Sequence, residues 1–423
     1  MFKVFANAWK IAELRTKILF TLLLIVVFRL GSAIPVPFIS ATELKALVEG
    51  GETLFSMFDI MSGGAFSNAT IFAMGITPYI NSSIIMQLLS VAIPALERKA
   101  KEGEEGRKFI AQLTRYVTVV LAFIQATGLY FGLKAAFTQR GFVAYIVVTL
   151  TFTAGTAFLM WLGEQINEKG IGNGISLIIF AGIVSRGPAM INSIIELNKS
   201  GSLNIIWTIA VVIFAILVVG IVVLMNDAER RIPVQYAKRV VGRKMYGGQS
   251  THIPIKVSMA GVMPIIFAIS IISFPATICQ MFGITAASGG FWGGFLKIMS
   301  QGSVLYGVIY FLLIIFFTYF YTEMQYNPIE MANNMKQNGG FVPGIRPGRP
   351  TSDFIKNILN KITLVGAIFI GLIAVLPMFL TSLVGPGVAF GGTSVLIVVG
   401  VALETVKQLE SQMLMRHYKG FLE

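Results

Sequence analysis

Residues 54–89 read LFSMFDIMSGGAFSNATIFAMGITPYINSSIIMQLL, and this stretch decides how the rest of the chain is understood. A short apolar segment, Phe55 to Met61, is too short to cross a bilayer and ends in Ser62-Gly63-Gly64. After a polar break at Ser67-Asn68-Ala69-Thr70 comes a full-length apolar segment with Gly75 and Pro78 in its first half. Irregular backbone at membrane depth is tolerated where it is buried in protein or lines a cavity, because lipid offers its N–H and C=O groups no partners. The stretch therefore predicts a half-helix and a spanning helix beside an internal cavity.

Composition agrees. The 423 residues are 55% hydrophobic and only 13% charged, and apolar runs of about 20 residues recur along the chain. The one cysteine, Cys279, lies in such a run, so no disulfide forms within the chain. The start, MFKVFANAWKIAELRTK, is too polar for a cleavable signal. Ten spanning segments are predicted, five in each half. The first five are Ile18–Ile34, Ile71–Ile93, Val117–Leu133, Phe142–Leu162 and Ile175–Ile194, the last interrupted by Ser185-Arg186-Gly187-Pro188. The second five are Leu203–Met225, Val257–Met281, Val304–Tyr321, Ile362–Leu383 and Val395–Leu409.

The net charge of +13 acquires meaning from its placement. With the N-terminus in the cytoplasm, 26 of the 33 Lys and Arg fall inside, 6 outside and one, Arg29, within the first span. This asymmetry follows the positive-inside rule and puts both termini in the cytoplasm. Two inner loops exceed what a turn requires. Residues 226–256 hold Arg230, Arg231, Lys238, Arg239, Arg243 and Lys244; residues 326–361 hold FVPGIRPGRP with Arg346 and Arg349. Orientation alone needs only a few charges beside the membrane, so the lengths favour a docking surface for a large anionic partner, such as ribosomal RNA or the acidic face of an ATPase.

The second span contains Gly75-Ile76-Thr77-Pro78-Tyr79-Ile80 and the seventh Gly261-Val262-Met263-Pro264-Ile265-Ile266, both G-x-x-P-x-I at the same rank in their halves. An odd number of spans per half makes the halves inverted in the membrane, an arrangement that places a pathway at their interface. The chemistry of catalysis is missing. The two histidines, His252 and His417, are both in inner regions, and Gly170-Ile171-Gly172-Asn173-Gly174 matches no nucleotide fingerprint. No enzyme activity, metal or cofactor is expected. Carboxylates are scarce in the spans, whereas ion-coupled transporters rely on them. A secondary transporter for a small solute remains the rival reading of the inverted halves, and a passive conduit driven by a partner fits better.

The stretches MFDIMSGGAFSNATIFAMGITPYI, TAFLMWLGEQINEKGIGNGISLIIFAGIV, QSTHIPIKVSMAGVMPIIFA, FVPGIRPG and GGTSVLIVVGVALE give the chain a family resemblance along essentially its whole length. It resembles the SecY family, the central subunits of bacterial protein-conducting channels. The resemblance implies an all-α integral membrane fold, ten transmembrane helices in two inverted five-helix halves around a central pore. The halves would be residues 1–195 and 203–423, joined by an external hinge at 196–202. The family's pore ring maps onto Ile76, Ile80, Ile179, Ile266 and Ile397, two of them inside the G-x-x-P-x-I repeats. Its plug maps onto about 55–66, with Phe55, Met57, Phe58, Ile60 and Met61 as its body and Ser62, Gly63 and Gly64 as its hinge. Its lateral gate, the second and third spans against the seventh and eighth, includes Ile84, Ile85, Gln87, Leu88, Ile271 and Phe274.

The docking arginines and lysines match the family's contacts with the ribosome or the SecA motor. The implied partners also include the small subunits SecE and SecG, signal sequences, unfolded polypeptides and lipid, all at the bacterial cytoplasmic membrane. Two further expectations attach to these residues. Asp59, costly against lipid, would face a water-filled outer funnel. Asn81, Ser82, Ser83 and Gln87 would form a polar seam that keeps the closed gate only moderately stable.

Overall fold

The computed structural model describes residues 2–49, 59, 62–133, 136–139, 141–199, 205–236, 239–241, 244–246, 250–282, 290–299, 303–384 and 392–419. The first half runs α1 (Phe2–Lys10), α2 (Ala12–Gly31), α3 (Ala41–Glu49), α4 (Thr77–Ala92), α5 (Pro94–Ala100), α6 (Glu104–Gly132), α7 (Phe142–Lys169), α8 (Gly174–Ser185) and α9 (Gly187–Lys199). Then come α10 (Ile205–Asp227), β1 (Glu229–Tyr236), β2 (Arg239–Val241), β3 (Lys244–Tyr246), β4 (Ser250–Lys256), α11 (Met263–Met281) and α12 (Phe291–Ile298). The chain ends with α13 (Val304–Gln325), α14 (Pro328–Gln337), β5 (Gly340–Phe341), α15 (Arg349–Val384) and α16 (Gly392–Lys419).

Every predicted apolar segment overlaps a helix, the fifth being shared by α8 and α9 on either side of Arg186. Among the described residues six helices are long and apolar enough to cross a membrane, or seven if α4 and α5, bent by 105° at Ile93, count as one span. Large apolar side chains face outward: Leu22, Leu23 and Val26 on α2 and Ile209, Ile213 and Ile216 on α10 are all half or more exposed. Such faces are stable against lipid and would drive aggregation in water. The chain is a multi-pass membrane protein.

The second and seventh segments start later than their apolar composition predicts. Residues 71–76 and 259–262 are turns, and helix begins only at Thr77 and Met263. The cause is the same in both. Gly75 and Gly261 each hold φ +57, the left-handed region that ends a run of turns, and a helix starts two residues later with proline as its second residue. The neighbours match too. The Ile71 carbonyl lies against Gly155 on α7, and the Val257 carbonyl against Gly366 on α15, each so close that a methyl on the glycine would collide with the oxygen. These carbonyls sit four residues before their glycines, on the second and seventh predicted spans, and the glycines that receive them sit on the fourth and ninth. Small residues that let backbones touch are a device of helix packing in membranes. Replacing Gly75 or Gly261 by alanine is expected to cost about 1 kcal/mol each, since both sites have space for a methyl but hold a left-handed backbone. Thermal unfolding of the solubilised protein checks this; an unchanged midpoint would show that the turn tolerates other residues.

The fold is not purely helical. The two long loops read as docking surfaces join in a three-stranded antiparallel sheet of order β4-β1-β5, with Gln235 opposite Phe341 and Tyr236 opposite Gly340. The reason lies in Arg231-Ile232-Pro233-Val234-Gln235, whose period-2 alternation buries Ile232 and Val234. These two pack with Ile255, Met335, Val342 and Leu359 into a small core of their own. β2 and β3 form a separate hairpin. The second loop is also shorter than predicted, because α15 begins at Arg349.

Candidate functional site

The five predicted ring isoleucines come from four helices. Ile76 caps the N-terminus of α4, and Ile80, Ile179, Ile266 and Ile397 lie in the first two turns of α4, α8, α11 and α16. All five are at most 5% exposed and belong to one apolar cluster that also holds Ile84, Ile178, Ile265, Ile269 and Leu396. The elements that carry them meet across the two predicted halves: α11 packs on α4 and α6, and α16 packs on α8. Isoleucine offers no hydrogen bond to water or to a peptide, so the cluster these residues share is apolar and without polar anchors.

Of the predicted plug, Ser62, Gly63 and Gly64 are described; Phe55, Met57, Phe58, Ile60 and Met61 lie outside the described residues, as do 200–202 of the predicted hinge, whose first four residues, 196–199, are instead the last turn of α9. Gly63 and Gly64 both have positive φ, +68 and +86, and Gly63 presses directly on the backbone of Gly182 in α8. Asp59 corrects an expectation. It is fully buried instead of facing water: its Oδ2 lies 2.6 Å from Arg186 Nη1, an ion pair rather than an aligned hydrogen bond, and its Oδ1 accepts from Ser67 N at 2.8 Å. A buried carboxylate requires such partners. Arg29, isolated in the sequence, donates through Nη1 to Ser185 Oγ at 2.8 Å and reaches the Gly63 carbonyl at 3.5 Å.

At the predicted gate Ile84 is buried, while Ile85, Gln87, Leu88, Ile271 and Phe274 are half-buried. Leu88 and Ile271 pack against the central cluster. The polar residues bond differently from the expected seam. Ser82 donates to the Thr114 carbonyl of α6 at 2.8 Å and Gln87 Nε2 to Ser83 Oγ at 3.2 Å, both bonds within one half. A buried serine hydroxyl needs a partner, and the Thr114 carbonyl, which also accepts from Thr118 Oγ1 at 2.6 Å, supplies one on the adjacent helix.

On the inner platform Arg230, Arg231, Arg346 and Arg349 are exposed, and Arg231 pairs with Glu229 at 2.7 Å. Arg239 and Lys244 are the ends of the β2–β3 hairpin on opposite strands; Lys238 and Arg243 lie outside the described residues. Arg346 sits between Gly344 (φ +81) and Gly348 (φ +104), and its carbonyl accepts from Thr351 Oγ1 at 2.8 Å, which holds the tip.

The SecY family model matches residues 70–406. The protein translocase subunit SecY of Bacillus subtilis (strain 168) is 45% identical over 436 residues, covering 100% of both chains. That of Streptomyces coelicolor is 44% identical over 445 residues with the same coverage. The fold matches a solved SecY structure whose plug domain stabilises the closed state of the translocation channel, with a TM-score of 0.71, 21% identity and coverage of 94% of this chain and 92% of that one. It also matches Sec61 from a canine ribosome-channel complex, with a TM-score of 0.66, 20% identity and the same coverage. The matched residues include both G-x-x-P-x-I turns and the whole isoleucine cluster, and the chain belongs to the SecY family, the channel subunits of protein translocases rather than enzymes.

Proposed function

We propose that this chain forms the pore through which unfolded secretory polypeptides cross the bacterial cytoplasmic membrane, and from which apolar helices pass sideways into lipid. The observation that carries the reading is the burial of Ile76, Ile80, Ile179, Ile266 and Ile397 in one cluster drawn from both predicted halves. The architecture proposed is ten spans in two inverted halves, residues 1–195 and 203–423, with both termini cytoplasmic. The matched glycine turns and the matched carbonyl–glycine contacts support the inversion. Isoleucines seal the resting pore by dryness, residues 55–66 cover it as a plug, and α4 and α6 part from α11 and α13 to admit a signal sequence. Each methylene such a helix buries contributes about 0.8 kcal/mol, and the apolar surface around Ile84, Ile85, Leu88, Ile271 and Phe274 is suited to receive it.

A passive pore takes its drive from outside. The inner platform is proposed to dock SecA or the ribosome, as the relative seen in a ribosome-channel complex does, and the membrane part to assemble with SecE and SecG. Crosslinking of a stalled secretory precursor to cysteines at Ile76 and Ile397 tests the pore. Both should capture the chain in transit, and capture at neither would remove the cluster from its path. Arg346→Glu tests the platform. Its side chain is exposed and only its backbone is bonded, so assembly should be unchanged while motor-driven translocation falls roughly tenfold through lost electrostatic association. Normal translocation by this variant would exclude Arg346 from docking.

A further inference from the structure

We propose that Arg186 and Arg29 hold the plug shut by gripping Asp59 and the Gly63 carbonyl, so that closure is set by a charged latch as well as by apolar packing. The inference rests on reading residues 55–66 as the plug. It names positioning residues, which act through the plug and not on the passing chain.

Three elements meet at the latch. Asp59 is tied to residues 62–67: its carbonyl accepts from Gly64 N at 2.9 Å and from Ser62 Oγ at 3.3 Å, and its carboxylate accepts from Ser67 N. The carboxylate is fully buried. What meets it is Arg186, the single residue between α8 and α9, at the break inside the fifth predicted span. From the last turn of α2, Arg29 reaches the same place and bonds Ser185 Oγ, which itself donates to the Gly182 carbonyl at 2.6 Å. Gly182 is the residue on which Gly63 rests. Two cations from separate spans thus face one anion and one carbonyl of the movable segment.

The chemistry makes the latch switch-like. In a dry site the Asp59–Arg186 attraction is strong, and removing either partner leaves a charge buried without compensation. Once water enters, the attraction weakens steeply, and both ions are solvated on separation. Arg186 is one-third exposed, so water has a route to the pair. The latch resists thermal opening while the channel is dry and yields when an arriving chain wets it.

The test uses full-length chain reconstituted with its co-purifying subunits, with resting ion conductance measured per assembled channel. Asp59→Asn and Arg186→Gln are each expected to raise resting conductance by about tenfold or more. A third protein carries a Gly-Ser linker in place of residues 55–66, and in that background Arg186→Gln should add nothing. If the plugless protein leaks while Asp59→Asn and Arg186→Gln stay tight, the latch is overturned and the plug stands. A plugless protein that does not leak overturns the plug, and the latch with it. Should Arg186→Gln raise conductance equally with and without the plug, Arg186 serves the α8–α9 break and not the plug, which also defeats the proposal. Counting only assembled channels keeps a folding defect from mimicking any of these results.

Discussion

Channels carrying Ile80→Gly together with Ile266→Gly are expected to conduct ions at rest at least ten times better than the parent protein, a rough figure for loss of a dewetted seal. The two residues are the fourth of α4 and the fourth of α11, and each is at most 3% exposed. In the proposed pore, removing two branched side chains from a ring of five would widen the gap that isoleucine keeps dry. Stability separates this outcome from ordinary core damage. Truncating a large aliphatic side chain in a sealed core costs about 2–5 kcal/mol, and glycine inside a helix about 1 kcal/mol more. If the side chains line a pore, water fills the vacated space and the loss is smaller, with leak as its accompaniment. A double variant that loses stability without conducting would place Ile80 and Ile266 in a closed core and remove them from the pore. Ile80→Val with Ile266→Val serves as the control and should change neither quantity appreciably.

Gly63→Ala should also open the resting channel, and Gly64→Ala should do so far less. Both glycines have positive φ, so both substitutions carry a backbone strain of about 1 kcal/mol. Only Gly63 has no space. A methyl there would come within 2.5 Å of the Gly182 Cα and 2.8 Å of its carbonyl oxygen, whereas at Gly64 the nearest atom, Asn68 Nδ2, is 3.8 Å away. Backbone cannot move aside as a side-chain tip can, so the chain at Gly63 must lift from α8. That motion draws Asp59 from Arg186 and the Gly63 carbonyl from Arg29. Conductance per channel, compared between the two variants, reads the difference directly. Equal effects would mean that backbone strain, and not the contact with Gly182, sets the position of the segment.

The sequence made the membrane class, the apolar segments and the paired G-x-x-P-x-I motifs readable, because lipid imposes long uniform runs and glycine marks a special φ. It hid three things. Turns and helix at 71–76 have the same apolar composition, so the start of α4 was invisible without the left-handed Gly75. The sheet at Arg231-Ile232-Pro233-Val234-Gln235 did carry a period-2 signal, but the surrounding arginines drew attention to charge. The Asp59–Arg186 pair left no local trace at all, since contact between single charges 127 residues apart follows no periodicity. The ring itself was reached through resemblance. An isoleucine in an apolar run is ordinarily lipid-facing or core, and nothing in its neighbours announces a lumen.

The late starts of α4 and α11 have an electrostatic consequence. Together with α8 and α16 they turn four helix N-termini toward one cluster, each with first-turn N–H groups that have no partner in their own helix. A helix begins with roughly half a positive charge. A pore closed by these isoleucines, as proposed, would be backed by four partial positive poles, and a water file that breached it would be hostile to cations and to protons. Closure against proton loss, the most damaging leak for an energised membrane, does not depend on tight side-chain packing alone.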